Sequence, residues 1–137
     1  ETMLMRDVDQ VDRTVSALRH AGVSLAIDDF GTGYSSMSQL HRLDVTACKI
    51  DRGFVAGAPE HPRDAAILRA LVDVGTAFGF PVVAEGVERP EELSAVQASG
   101  CPLVQGFLLA VPSPPEALTE MLLSGSVTLP GAVPSAR

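Results

Sequence analysis

Four short stretches of the chain carry residue types suited to polar chemistry, and each belongs to an apolar run. Asp28-Asp29 follows Val23-Ser24-Leu25-Ala26-Ile27 and opens the segment Asp28-Asp29-Phe30-Gly31-Thr32-Gly33-Tyr34-Ser35-Ser36. Lys49 lies at the end of the run from Val45 to Ile50, with Asp51 two residues on. Glu85 ends the run Pro81 to Ala84 and leads into Gly86-Val87-Glu88, and Gln105-Gly106 ends Pro102 to Val104. Adjacent carboxylates repel each other and are costly to bury without a cation. A divalent cation removes that cost, and an oxygen-only donor set suits Mg²⁺ or Mn²⁺. The pair Asp28-Asp29 therefore predicts a metal site at the mouth of a strand.

Each of these residues has a plainer reading. Asp28 and Asp29 are also residue types for helix caps and loops. Lys49 could pair with Asp51, which alternation puts on the same face of an extended segment, or with Asp29. Glu88 reads equally as a loop acid or as a group that supports the site, and Gln105 as a partner for local backbone. Gly31, Gly33, Gly86 and Gly106 suit tight turns that need positive φ. His20, His41 and His61 have no ligand-like spacing, and Met3, Met5, Met37 and Met121 read as packing groups.

The elements that must hold these groups are legible from periodicity. The four apolar runs Val23–Ile27, Val45–Ile50, Pro81–Ala84 and Pro102–Val104 read as strands. Helical spacing is present in Val8–His20, Ser35–Leu43, Pro62–Phe78, Pro90–Ala98 and Pro115–Leu123. Strand and helix alternate, which predicts βαβ units, an α/β fold and a parallel sheet covered on both faces. In such a sheet the C-terminal ends of all strands face one way, so the polar ends converge on one mouth. Residues 124–137, rich in Ser, Gly, Pro and Ala, are expected to form a flexible tail after a domain spanning 1–123.

The totals narrow the function classes. The chain has 137 residues, enough for one domain and one core. Its formal net charge of −7 argues against binding a DNA or RNA polymer, which needs a basic face. A phosphodiester substrate stays compatible, because bound metal supplies local positive charge. No apolar run is long enough to span a membrane, and no secretory signal is visible. Cys48 and Cys101 are expected to be buried thiols in a reducing compartment. Glu1, standing where a methionine would open a complete protein, leads us to expect a longer chain.

Together, Asp28-Asp29-Phe30-Gly31-Thr32-Gly33-Tyr34-Ser35-Ser36, Lys49-Ile50-Asp51, Ala84-Glu85-Gly86-Val87-Glu88 and Gly100-Cys101 followed by Gln105-Gly106-Phe107 resemble the EAL-domain cyclic-di-GMP phosphodiesterases, in that family's order and from Glu1 to about Pro114. The resemblance implies a (β/α)8 barrel of about 250 residues. It also implies two Mg²⁺ or Mn²⁺ ions, and hydrolysis of cyclic-di-GMP to linear pGpG in the bacterial cytoplasm.

By the same resemblance Asp28 matches the aspartate that bridges the metals, and Asp29 matches a ligand of the second. Lys49 matches a lysine that helps hold the attacking water. Glu85 matches a glutamate at the second metal and its water, and Gln105 a glutamine lining the site. Glu1 matches the last glutamate of a Glu-x-Thr-Glu segment that supports the loop of the aspartate pair. Asp51 and Glu88 are taken as supporting residues.

Ahead of the aspartate pair, where the family carries them, the Glu-Ala-Leu tripeptide, an asparagine, the first glutamate of Glu-x-Thr-Glu and a phosphate-binding arginine have no counterpart; the one Glu-Ala-Leu in the chain, Glu116-Ala117-Leu118, lies beyond the matched motifs. The resemblance thus implies the C-terminal half of a barrel, four of its eight strands. Gly53, Pro102 and Val111 depart from the family pattern at rim and loop positions. Such a half is expected, on its own, to be unstable, to aggregate, or to pair with the missing N-terminal half or a second copy, and diguanylate cyclase or sensor domains often accompany modules of this family upstream. Two functions remain open: a phosphodiesterase whose isolated half is inactive, and a degenerate domain that serves as a cyclic-di-GMP receptor or protein-interaction module.

Overall fold

The computed structural model describes residues 2–32 and 45–125. The first helix, α1 (Thr2–His20), ends in a left-handed Gly22, φ 82°. There Gly22 N–H donates to Arg19 C=O and Val23 N–H to Leu18 C=O, the two bonds of a Schellman stop. Val23 is therefore spent on the helix cap, and the strand starts three residues later than the apolar run predicts. β1 covers Ala26–Phe30, β2 Ala47–Ile50, β3 Val82–Ala84 and β4 Leu103–Val104. All pairs are parallel, in the order β1-β2-β3-β4.

Between β2 and β3 lie α2 (Arg52–Gly57) and α3 (Pro62–Phe78); α4 (Pro90–Ser99) precedes β4, and α5 (Pro115–Ser124) follows it. The short α2 has two glycines in six residues and no amphipathic period, so only its cap, Asp51, marks it in the sequence. The expected helix Ser35–Leu43 lies outside the described residues, as do Glu1, Gly33, the hydroxyl run Tyr34-Ser35-Ser36, and 126–137 of the expected tail.

Alternation along the strands separates two faces. Cys48, Ile50, Val82 and Ala84 are buried on one face, in a core with Val55 of α2, Leu68 and Val72 of α3, and Val96 of α4. Each aliphatic side chain fully buried there contributes about 1.5–3 kcal/mol. Helix and sheet approach closely at Gly75, where a Cβ would meet Val82 Cγ2. The register Ala26–Ala47 and Lys49–Val83–Leu103 places Ala26, Ala47, Lys49, Val83 and Leu103 on the other face. That face is partly open: Leu103 is 47% exposed. Cys48 and Cys101 are free thiols, and Cys101 is half-buried rather than buried. No described helix is long and apolar enough to cross a membrane.

Candidate functional site

The acid pair lies inside β1 rather than after it. Ala26 and Ile27 face Ala47 and Cys48 in register, but Phe30 faces Ile50, so Asp28 and Asp29 together oppose Lys49. This is a β-bulge, the device by which a strand re-aims a side chain. Asp29 carries the bend at φ 50°, the only left-handed non-glycine among the described residues. Asp tolerates that conformation better than most residues. Thr32 closes the following turn, with its N–H and Oγ1 both donating to Asp29 C=O at 3.2 and 2.8 Å. Gly31 is required in that turn: its φ is 104°, and a Cβ would come within 2.7 Å of Leu71 and 2.8 Å of Phe54. The backbone holding the two aspartates is thus seated on α2 and α3.

Lys49 is the hub. Its Nζ donates to Asp28 Oδ1 at 2.9 Å and lies 2.6 Å from Glu85 Oε1. The ammonium joins three consecutive strands, since Asp28 belongs to β1, Lys49 to β2 and Glu85 to the end of β3. Hydrogen bonding to Lys49, with its charge, holds the Asp28 carboxyl below the usual carboxylate range. Hydrogen bonds to Glu85 and then Asp28 hold the Lys49 ammonium above its ordinary value. Lys49 therefore pairs across the sheet, not with Asp51 or Asp29 as the plainer reading would have it. The Asp51 carboxylate instead accepts from Gly53 N–H at 2.9 Å and caps α2.

Glu85 is a 19%-exposed side chain whose N–H continues the ladder to Ile50 C=O. Gln105 continues it on β4, its N–H donating to Ala84 C=O and its C=O accepting from Val87 N–H. Its side chain is exposed and lines an open cavity of about 310 Å³ with Phe107, Val111 and Leu118, among others. Gly86 turns at φ 70°, as expected, but Gly106 does not have positive φ. Gly106 serves close approach instead: a Cβ there would collide with the backbone of Val87.

Glu88 pairs with Arg52 at 2.8 Å, 60% exposed on the arginine side, and makes no direct contact with Lys49. Beyond it, Arg89 reaches Glu60 at 2.9 Å and Glu92 at 2.7 Å. Arg52, Arg89 and Glu92 escape a sequence reading. The one visible signal is Pro90-Glu91-Glu92, which reads only as a favourable first helical turn.

Among the described residues, no group of three or more His, Cys, Asp or Glu side chains gathers tightly enough to hold a metal by itself. The donors that do converge, Asp28 and Glu85, are carboxylates. That chemistry fits a hard divalent cation such as Mg²⁺, which one or two carboxylates hold while water and substrate phosphate complete the shell.

The sequence profile of the EAL domain matches residues 1–112. The cyclic di-GMP phosphodiesterase NbdA of Pseudomonas aeruginosa is 45% identical over 122 residues, covering 89% of this chain and 16% of that protein. The chain thus spans about a sixth of the length of that curated relative. The crystal structure of the EAL domain of Mycobacterium smegmatis DcpA superposes with a TM-score of 0.81 at 42% identity, covering 89% of this chain and 55% of that one. A manganese and cyclic-di-GMP complex of Klebsiella pneumoniae BlrP1 superposes at 0.70 with 42% identity, over 76% of this chain and 26% of that one. The four parallel strands and their helices correspond to part of an EAL (β/α)8 barrel.

Proposed function

The chain belongs to the EAL domain family, and we propose that it forms the C-terminal half of a cyclic-di-GMP phosphodiesterase domain, with residues 1–123 as that half. The carrying observation is the convergence of Asp28, Lys49 and Glu85 from three neighbouring parallel strands. The phosphodiesterase relative and the metal and cyclic-di-GMP complex of a solved neighbour support the same reading. The reaction adds water across one P–O3′ bond of cyclic-di-GMP. The water oxygen joins phosphorus, and the 3′ oxygen leaves as a hydroxyl to give linear pGpG.

Asp28 and Asp29, with Glu85, would hold divalent cations, Mn²⁺ or Mg²⁺, together with ligands from the N-terminal half. When bound, such cations neutralise the phosphate and lower the pKa of the attacking water. Lys49 places positive charge beside the nucleophile and the phosphoryl oxygens. Glu85 offers a carboxylate oxygen to the proton of the water. Gln105 lines the mouth from β4. By the family resemblance Glu1 would support the loop of the aspartate pair; Asp51, which caps α2, and Glu88, which pairs with Arg52, would support the site from beside Lys49 and Glu85. The working location is the cytoplasm, with cyclase or sensor domains upstream in the complete protein.

The test is cyclic-di-GMP hydrolysis, with Mn²⁺ and with Mg²⁺, by the complete protein and by residues 1–137 alone. Turnover to pGpG by the complete protein and none by the isolated chain is expected. Binding without turnover in the complete protein would favour the receptor reading instead.

A further inference from the structure

Four backbone donors along the loop that follows β3 have identified acceptors, and two of them end on one buried carboxylate. Glu85 N–H donates to Ile50 C=O and Val87 N–H to Gln105 C=O. Glu88 N–H donates to Glu92 Oε2 at 2.7 Å, and Arg89 N–H to the same oxygen at 3.1 Å. The other oxygen, Oε1, accepts from Arg89 Nε at 2.7 Å. The Glu92 side chain is 5% exposed. Burial raises its pKa, but the hydrogen bonds from Glu88 and Arg89 outweigh that and leave the carboxyl below the usual range. Arg89 in turn spans to Glu60 and to Ala56 C=O, so the clamp is anchored on α2 and the segment after it.

We propose that Glu92 is a positioning residue for the Glu85 carboxylate, acting through the backbone of Glu85-Gly86-Val87-Glu88. The inference rests on the reading of Glu85 as a site residue. The loop is pinned at one end by the β2 ladder at Glu85 and at the other by Glu92. Between those points Gly86 is covered by the Arg52 stem, and Val87 is locked by Gln105 and Leu108. Release of the Glu92 end removes the anchor of Glu88 and Arg89, so the loop that carries Glu85 is held only by the ladder at Glu85 and the two bonds at Val87. A glutamine at position 92 keeps the shape but offers one oxygen and one NH2: with the oxygen toward the loop its NH2 is set against Arg89 Nε, and with the oxygen toward Arg89 both loop N–H groups lose their acceptor, so the clamp loses its charge and at least one bond either way. Outer partners of metal-site groups typically cost 10–100-fold in metal affinity or activity when changed.

The experiment uses the complete protein and measures Mn²⁺ affinity by titration calorimetry, kcat and KM for cyclic-di-GMP, and the melting temperature. Glu92→Gln is expected to weaken Mn²⁺ binding about tenfold or more and to lower kcat with little change in KM. Glu92→Asp, which keeps both oxygens, is expected to recover part of the loss. Glu60→Gln, which takes the charge off Arg89's outer partner without touching the loop, is expected to lower the melting temperature while leaving Mn²⁺ affinity unchanged. Equal Mn²⁺ affinity in Glu92→Gln and wild type overturns the positioning role. So does a loss matched by Glu60→Gln, since the effect would then follow stability alone. A wild-type protein that binds no Mn²⁺ and hydrolyses nothing overturns instead the function on which the inference rests.

Discussion

Lys49 Nζ stands 2.6 Å from Glu85 Oε1, so a single ammonium ties the end of β3 to the middle of β2 while also reaching Asp28 on β1 at 2.9 Å. This pairing decides how the site responds to change. The hub is 30% exposed and lies off the hydrophobic core, so its loss should be felt in chemistry before it is felt in folding.

Lys49→Met in the complete protein is therefore expected to lower kcat for cyclic-di-GMP by about 10²–10⁴-fold, the usual worth of a positioned polar catalytic group. Thermal unfolding of the same variant should stay close to wild type. Steady-state kinetics alongside calorimetry separates the two effects, and retained turnover would remove Lys49 from the reaction.

The acid limb of stability should come from carboxylates held low in the folded state. Glu92 and Glu60 lie below their ordinary value of 4.5, and Asp28 below its ordinary 3.8. For Glu92 hydrogen bonds outweigh burial; for Glu60 the Arg89 pair is the main cause, and for Asp28 the Lys49 pair. A depressed carboxyl stabilises the fold above its unfolded pKa and loses that stabilisation as pH falls through the folded one. Stability is expected to hold steady above pH 4.5 and to decline below it. Lys49, raised above its ordinary 10.5, adds stability below that pH and loses it as pH rises through its folded value. Urea unfolding from pH 3 to 8 checks the acid side, where a flat profile would contradict the ion-pair assignments.

Gly106→Ala is expected to destabilise the fold, because a Cβ at that position meets the Val87 carbonyl and amide rather than a movable side chain. Overpacking typically costs about 1–3 kcal/mol, and a rigid backbone neighbour favours the upper end. Denaturant midpoints for Gly106→Ala against wild type measure it. A change within error would mean that β4 and the Val87 loop separate freely.

Residues 1–137 alone are expected to self-associate. Among the described residues β1 and β4 each pair on one side only, and Leu103 and Phe107 are 47% and 60% exposed. Unpaired strands beside apolar surface favour association. Light scattering over a concentration series should show growing mass, whereas a monodisperse monomer with a cooperative melt would refute this expectation.

The sequence is informative about this fold where pattern and tertiary demand agree. Pro62 to Phe78 forms the expected helix residue for residue, because Pro62 opens it and left-handed Gly79 closes it. It misleads at β1, where the apolar run Val23–Ile27 suggests the strand but Val23 belongs to the helix stop and the strand extends through two aspartates. No local propensity favours Asp28-Asp29 in a strand; the bulge opposite Lys49 accommodates them. The convergence of Asp28, Lys49 and Glu85 follows from parallel topology, so it is visible once strands and their polar ends are marked. The Glu92 clamp is not visible in that way, since it depends on a helix-start carboxylate turning back onto a loop, which spacing alone does not reveal.

The central claim is that the β1 bulge supplies a ligand to a two-metal phosphodiesterase centre. Its most direct test is the rate of cyclic-di-GMP hydrolysis by the complete protein in saturating Mn²⁺, wild type against Asp28→Asn. That substitution keeps side-chain size and removes the charge. A fall of at least about 100-fold in kcat, with the fold intact by circular dichroism, is the predicted result. Turnover within twofold of wild type would contradict the account.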